Sequence, residues 1–454
     1  MAELILINPS YFPPEKNRDR GQRFIEYIRG GNMYFHPFEP PLGLASLVSY
    51  LKPRGYECRL IDMPADELTD KRLQRDLSIS SAPRFIGITA MTTTMRRALE
   101  IAQICKSVFP EVPLVMGGVH PTIRPDAVLS SHAVDFVIRA EGEEAMAMLM
   151  ASKMKKRTYE IPGLCFKTPD CRVHIAKKTA LISDLDTLPL PDYTSFPALS
   201  YVGYTQELRG IRAISMLISR GCPYNCSFCA VHQTMGRRSR IKSPKRVSNE
   251  MDEVLKLLDL EGIWFKDSIF NLNRDWVKSF CEYRKISPLE GKFQINTRVD
   301  LVREDDLARM AEAGLVQIDL GIESGSSKTL KTLRKAISPK QVRKVIKMAK
   351  NYVRISGFFM IGVPGETEED IDMTFRLAQD LELDSASISI FAPLPGSTLY
   401  DELASQGKLR GNEDEVHFTE ATESYCEVPI QRLKERFFEF NEKFAVQCKP
   451  KDSP

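Results

Sequence analysis

Three cysteines, Cys222, Cys226 and Cys229, lie in the segment SRGCPYNCSFCA (219–230) with gaps of three and two residues. Thiolates are metal ligands, and a short loop that carries several of them suits a metal centre. A structural zinc site needs four ligands, commonly two CxxC pairs. No second pair lies nearby, so a zinc reading would draw its fourth ligand from His232. Iron–sulfur clusters are also held by thiolates, and a cubane has four irons. Three thiolates would then leave one iron open to bind a substrate or cofactor. The remaining cysteines (Cys58, Cys105, Cys165, Cys171, Cys281, Cys426, Cys448) are scattered and read as small buried hydrophobes. The chain is too long and too poor in cysteine for a secreted disulfide framework.

The elements that must position this loop follow from the apolar runs. Residues 1–150 alternate strand and helix: LILIN (4–8), ECRLID (57–62), RFIGITA (84–90), PLVMGG (113–118) and DFVIRA (135–140) read as strands. Helical spacing over 40–55 and near 95–108 separates them. The alternation predicts a doubly wound, Rossmann-like parallel sheet with ligands at the carboxyl ends of its strands. Residues 151–205 read as a hairpin around Cys165 and Cys171 followed by a proline-rich linker. A second βα series occupies 206–400. Its strands are ISMLIS (214–219), GIWFKD (262–267), FQINTRVD (293–300), VQIDLGIE (316–323), ISGFFMIG (355–362) and SASISIF (385–391). Such a series fits a partial (β/α)6 barrel, whose chemistry lies at the C-terminal ends of the strands. The cysteine loop directly follows the first of them. Residues 401–454 read as a helical C-terminal segment, clearest over 431–447.

CxxxCxxC with an aromatic residue, Phe228, before the last cysteine resembles the radical S-adenosylmethionine superfamily. The resemblance implies a 4Fe-4S cluster on Cys222, Cys226 and Cys229 whose open iron chelates S-adenosylmethionine. Electron transfer would release a 5′-deoxyadenosyl radical that abstracts hydrogen from an unactivated carbon. It also implies cofactor contacts from Phe228 near the adenine, Glu323 in GIESGS at the ribose, and Gly362 in FFMIGVPGET along the adenine or methionine portion. Arg298 in NTRVD would face the cofactor carboxylate. Asp267 stands where the superfamily often has a Gly-Gly-Glu-like element for the cofactor's amino group; here the sequence is Lys-Asp-Ser.

Ahead of the barrel, PPLGLASLVSYL, TAMTTTM (89–95), MGGVHPT (116–122) and AEGEEA (140–145) resemble the cobalamin-binding domain of one class of these enzymes. The resemblance implies that Thr89, Met91, Thr92, Gly117 and Gly118 cradle the nucleotide tail or corrin edge, with Glu141 and Glu143 at the corrin site or the domain junction. The Asp-x-His-x-x-Gly element that ligates cobalt is absent. His36, in YFHPFEP, lacks its Asp and Gly, and His120 reads as a turn residue, so cobalamin is expected without a protein histidine ligand.

The reading that results is a cobalamin-dependent methyltransferase acting on an unactivated carbon. The alternatives are a non-methylating radical enzyme that has lost cobalamin (dehydration, epimerisation, coupling or cyclisation) and a non-catalytic partner protein. The loop 10–39 (Lys16, Arg18, Arg20, Tyr34, Phe35) is expected to border the pocket of a small-molecule substrate. Cys426 is a candidate hydrogen donor in a non-methylating mechanism. No separate ferredoxin-like cysteine set is present, so the reductant would be an external flavodoxin or ferredoxin. Lys plus Arg is 63 against 60 for Asp plus Glu, which gives no support for nucleic-acid binding. With 43% hydrophobic residues and no apolar run long enough to span a bilayer, no membrane span is expected, and the N-terminus reads as a strand rather than a signal peptide. A cytoplasmic location follows as the expectation.

Overall fold

The computed structural model describes residues 2–10, 39–152, 159–168, 170, 172–179, 181–202, 211–410 and 421–445. Most of the loop 10–39, including His36, lies outside them, as do Cys171 and Cys448.

Strand β1 (Leu4–Asn8) is an uninterrupted apolar run because both of its faces are covered. Ile5 and Ile7 pack with Ile101 and Ala102 of the helix Met95–Val108. Leu4 and Leu6 turn the other way, against Leu44 and Val48 of the helix Leu42–Leu51 and Leu149 of the helix Glu143–Ser152. Successive side chains of a strand point to opposite faces, so a run without polar interruption needs helices on both sides. Strands β2 (Cys58–Asp62), β3 (Phe85–Thr89), β4 (Leu114–Gly117) and β5 (Phe136–Ile138) complete a parallel set in spatial order β2-β1-β3-β4-β5. The order reverses between β1 and β3, where such sheets open a ligand crevice at the strand carboxyl ends.

The hairpin around Cys165 forms as β6 (Leu164–Lys167) and β7 (Val173–His174). It is not a separate unit. β6 pairs antiparallel with β5 and extends the sheet to seven strands. Its side chains explain this: Leu164 and Phe166 join one apolar layer of the sheet and Cys165 the other.

After β8 (Ala213–Met216) comes the short strand β9 (Ser219–Arg220), which pairs antiparallel with β10 (Arg240–Ile241). Strands β11 (Gly262–Phe265), β12 (Lys292–Thr297), β13 (Leu315–Glu323), β14 (Arg354–Ile361) and β15 (Ser385–Ile390) follow. With β8 they form a six-stranded parallel sheet in chain order, with β8 and β15 as its edges: a partial barrel. Its outward side chains, among them Ile214, Phe265, Ile295, Ile318 and Ile388, join the helices in the largest apolar cluster of the molecule. The inward rows are polar instead. The register aligns Ser215, Trp264, Gln294 and Gln317 in one row and Asn296, Asp319, Ser356 and Ser385 in the next.

The helix Ile430–Ala445 closes the barrel flank. Leu433, Phe437, Phe440 and Phe444 form one apolar stripe, and the Phe440 ring lies 5.5 Å from that of Phe359 and 5.1 Å from that of Phe375. Each buried phenyl contributes about 1.5–3 kcal/mol. Among the described residues no helix is long and apolar enough to cross a membrane.

Candidate functional site

The loop with the three cysteines begins at the end of β8 and is pinned from several sides. Gly221 has a φ of +90°, and a Cβ there would stand 2.3 Å from the Arg238 carbonyl oxygen, so only glycine fits. The Cys222 amide donates to the Gly236 carbonyl at 3.2 Å. Ser227 reaches β13's following helix, donating from its amide to Leu333 at 3.1 Å and from its hydroxyl to Thr332 at 2.7 Å. The Leu399 amide donates to the Ser227 carbonyl at 2.8 Å.

Asp267 secures the start of the loop. Its carboxylate is 1% exposed and accepts from the Ile218 amide at 3.1 Å, the Ser219 amide at 2.6 Å and the Ser219 hydroxyl at 2.6 Å. Burial pushes its pKa up to about 6, against the pull of these hydrogen bonds. The sequence places Asp267 at the cofactor's amino group; in the structure the carboxylate is committed to the chain that leads into the cysteines.

Cys222, Cys226 and Cys229 are half-buried. Burial raises the Cys222 and Cys229 thiols, and each is raised further by the neighbouring thiols and lowered by Lys335. The three sulfurs therefore share one electrostatic neighbourhood with two cations. Arg298 Nη1 is 3.4 Å from Cys226 Sγ, and the guanidinium lies 3.7 Å over the Tyr224 ring. Its other face is bidentate to Asp300 at 2.9 and 3.1 Å. Arg298 is 5% exposed and turned towards the cysteine loop.

Among the described residues no three His, Cys, Asp or Glu side chains gather closely enough to hold one metal ion. A single zinc with ~2.3 Å bonds needs sulfurs only about 3.8 Å apart, whereas a cubane spreads its thiolates over separate irons. His232 takes its electrostatic neighbours from Arg237 and Asp401, not from the thiols. Three thiols that feel one another's charge, with Arg298 and Lys335 as neighbouring cations, fit an anionic cluster as their occupant.

The other cofactor candidates surround this loop. Phe228 packs with Leu333, Val363 and Phe391 in a small apolar cluster. Val363 follows Gly362, whose amide donates to Glu366 at 2.6 Å; the Val363 amide donates to the same oxygen at 3.2 Å. Burial pushes the Glu366 carboxyl up to about 7 despite these bonds. Glu323 ends β13 at a register shift with φ +66°, a conformation unfavourable for a residue with a side chain. It is held by Lys335 at 2.9 Å, which also donates to the Gly321 carbonyl at 3.1 Å. Residues out of ordinary backbone space persist where the surroundings over-determine them, often at functional sites.

Over the N-terminal sheet lies a mainly apolar cavity of about 260 Å³. Thr89, Gly117, Gly118 and Glu141 line it. Gly118 has a φ of +102°, and a Cβ there would meet the Ala90 carbonyl oxygen at 2.6 Å and Thr89 Oγ1 at 2.9 Å. The turns after β3 and β4 are thus clamped together. A Cβ on Gly117 would meet nothing closer than 3.7 Å, so the backbone beside the cavity is bare where a larger residue would fill it. This cradle fits a largely apolar ligand that approaches bare backbone at Gly117. Met91 and Thr92 are not among the lining residues. Met91 is exposed at the turn, and Thr92 is buried with its hydroxyl 3.3 Å from His120 Nδ1. His120 is itself buried and donates its amide to the Ala90 carbonyl; it lies in the short helix Val119–Ile123, not in the turn expected of it. The far wall of the cavity is Leu217, Ile218, Ser219 and Arg220, so cavity and cysteine loop adjoin.

Sequence reasoning missed Glu366, Lys335 and the ion pairs of Glu141 and Glu143. A glutamate three residues after Val363, closing the otherwise apolar segment FFMIGVPG, was the available signal for Glu366. Cys426 lies half-buried beside Ser424 and the Val428 amide, which approaches its sulfur at 3.3 Å.

The family description "Radical SAM superfamily" matches residues 216–378, and "B12 binding domain" matches residues 34–150. The uncharacterized methyltransferase PH0819 of Pyrococcus horikoshii is 32% identical over 365 residues, 80% of this chain and 78% of that protein. The anaerobic magnesium-protoporphyrin IX monomethyl ester cyclase of Rubrivivax gelatinosus is 29% identical over 376 residues, 81% of this chain and 67% of that protein. The solved structure of the radical S-adenosylmethionine methyltransferase TsrM from Kitasatospora setae, with cobalamin and a [4Fe-4S] cluster bound, shares the fold. Its TM-score is 0.70 at 18% identity, over 89% of this chain and 78% of that one.

Proposed function

The chain belongs to the radical SAM superfamily, in the class with a B12-binding domain, and from that premise we propose that it methylates an unactivated carbon of a small molecule. Its cofactors are a 4Fe-4S cluster, S-adenosylmethionine and cobalamin. When bound, the cluster supplies the electron that cleaves S-adenosylmethionine to a 5′-deoxyadenosyl radical, and cobalamin carries the methyl group.

The chain's own residues then have these roles. Cys222, Cys226 and Cys229 hold the cluster, with Arg298 and Lys335 balancing thiolate charge. Phe228 and Gly362 border the adenine, and Glu323, steadied by Lys335, faces the ribose. Asp267 positions the loop through Ile218 and Ser219. Thr89, Gly117 and Gly118 cradle cobalamin, while Met91 and Thr92 shape the turn beside it; among the described residues no histidine lines the cavity. The polar inner rows of the barrel face the substrate. The working domain division is 1–150, 151–205, 206–400 and 401–454, with hairpin β6–β7 added to the first sheet. An external flavodoxin or ferredoxin supplies electrons; the substrate is not a nucleic acid, and the enzyme acts in the cytoplasm.

The observation that carries this reading is the shared wall. One cavity is lined both by the glycine pair of the N-terminal sheet and by the residues that lead into the cysteines. A group in that cavity and a cluster on that loop would act on a common substrate. A second reading, a non-methylating radical reaction, is favoured by the relative named as a cyclase. The test is oxygen-free reconstitution followed by a corrin absorption spectrum and product analysis. Methyl transfer yields S-adenosylhomocysteine together with 5′-deoxyadenosine. Formation of 5′-deoxyadenosine alone, by protein that binds no corrin, rejects it.

A further inference from the structure

The cysteine loop hangs from a two-residue ribbon. β9 and β10 pair Arg220 with Arg240, and all the cluster cysteines lie between them. Neither arginine points away from the molecule. Arg220 forms ion pairs with Glu143 Oε1 at 2.5 Å and Glu141 Oε2 at 3.2 Å, and Arg240 with Glu141 Oε1 at 2.6 Å. The carboxylates come from the N-terminal sheet, the turn after β5 and the first turn of the helix Glu143–Ser152.

The ties continue beyond the four charges. Ser46 donates to Glu143 at 2.7 Å, and the Ile182 amide donates to Glu141 at 2.7 Å. Arg240 donates to the Ile182 and Met235 carbonyls at 2.6 and 2.8 Å, which fastens the linker and the descending half of the loop to the same knot. Glu141, Glu143 and Arg240 are 6%, 3% and 8% exposed. Desolvating so many charges is costly, and an apolar contact of the same size would stabilise the junction as well or better. A buried ionic junction is instead a device for fixing one relative position.

Ser46, Glu141, Glu143 and Arg220 also line the cavity over the N-terminal sheet. Its occupant would touch, from the inside, the clamp that holds the loop. We infer that Glu141, Glu143, Arg220 and Arg240 are positioning residues that couple the two cofactor sites: cobalamin in the cavity sets the geometry of the cysteine loop, and a loaded cluster tightens cobalamin in return. This rests on the proposed function, since it needs both groups to bind. Thermodynamic linkage requires the two effects to be equal in free energy.

The test uses full-length protein without turnover. Hydroxocobalamin is titrated into cluster-free and cluster-loaded forms, and the cluster midpoint potential is measured with and without hydroxocobalamin. The expected outcome for the unaltered chain is a ratio of dissociation constants of about fivefold or more, in the range typical of coupled sites, together with a shift in potential. Glu143→Gln keeps hydrogen-bonding atoms but removes the charge, and Arg220→Lys keeps the charge but loses the two-pronged geometry. Both should still take up iron; because Glu143 and Arg220 line the cavity, corrin affinity should fall in the cluster-free and cluster-loaded forms alike, with the ratio reduced towards one and the potential insensitive to corrin. Arg220→Lys should retain more of the coupling than Glu143→Gln. Equal dissociation constants in the two forms of the unaltered chain overturn the inference even if the variants fail to fold. So does full coupling in folded variants. Absence of corrin or iron uptake by the unaltered chain would instead overturn the proposed function.

Discussion

The cysteine loop and the cavity over the N-terminal sheet are built in opposite ways. The loop works through reactive side chains, three half-buried thiols on a backbone pinned by hydrogen bonds, with Arg298 beside Cys226. The cavity works through bare backbone and apolar walls, with Gly117 and Gly118 at its edge. A site of the first kind fails when one atom changes. A site of the second kind tolerates side-chain changes along its walls but not an added Cβ where backbone segments touch. Their junction combines both kinds of contact: Arg220 and Arg240 pair with Glu141 and Glu143, while Leu42 and Ala45 share an apolar cluster with Met216 and Ile218.

The harshest way to break the contrast is Cys226→Ser. Iron and sulfide content should fall to background while the thermal transition stays cooperative and corrin still binds. Retention of a full cluster would contradict the assignment of the loop. Gly118→Val is the matching change on the other side. The left-handed backbone costs about 1–3 kcal/mol for a residue with a side chain, and the 2.6 Å clash with Ala90 forces the turns apart. Corrin affinity should collapse and the denaturation midpoint should drop, with iron content kept. A variant that binds corrin normally would show that the two turns do not form the cradle.

Asp267→Ala gives a graded effect. It removes the acceptor for the buried Ile218 and Ser219 amides, at about 1–3 kcal/mol for each donor left unsatisfied. Urea denaturation should register that loss, and the cluster should be shed faster under chelator challenge. Asp267→Asn, which keeps one acceptor oxygen, should fall between. Unchanged cluster retention in the alanine variant would mean that the loop does not depend on this anchor.

The smallest expected effect is a pH dependence set by Glu366. Its folded pKa, about 7, is raised above the ordinary 4.5. A carboxyl raised on folding adds stability that is complete below its unfolded pKa and is lost as pH rises through the folded value. The melting temperature should therefore decline between about pH 4.5 and 7. Glu366→Gln should flatten this portion of the profile, and a parallel decline in the variant would assign it to another group.

What the sequence made legible follows the same division. Cysteine spacing is local, so the loop could be read directly, and β1 could be read because both of its faces are buried. The fate of hairpin β6–β7 was not legible, since a short strand does not announce which edge it joins. Asp267 and Arg298 were located, but their partners were not. Whether a carboxylate meets a cofactor or the Ser219 amide 48 positions away is decided by tertiary packing. The Arg220–Glu143 pair spans 77 positions and carries no sequence pattern at all. Thr89, Gly117 and Gly118 line the cavity over the N-terminal sheet, whereas the Thr92 hydroxyl lies against the buried His120 ring.

The most direct measurement is the electron paramagnetic resonance spectrum of reduced, oxygen-free protein, recorded with and without S-adenosylmethionine beside an iron and sulfide assay. The account predicts about four irons and four sulfides per chain and a signal that changes when S-adenosylmethionine occupies the open iron. Uptake of zinc in place of iron, or a four-iron signal indifferent to S-adenosylmethionine, would contradict it.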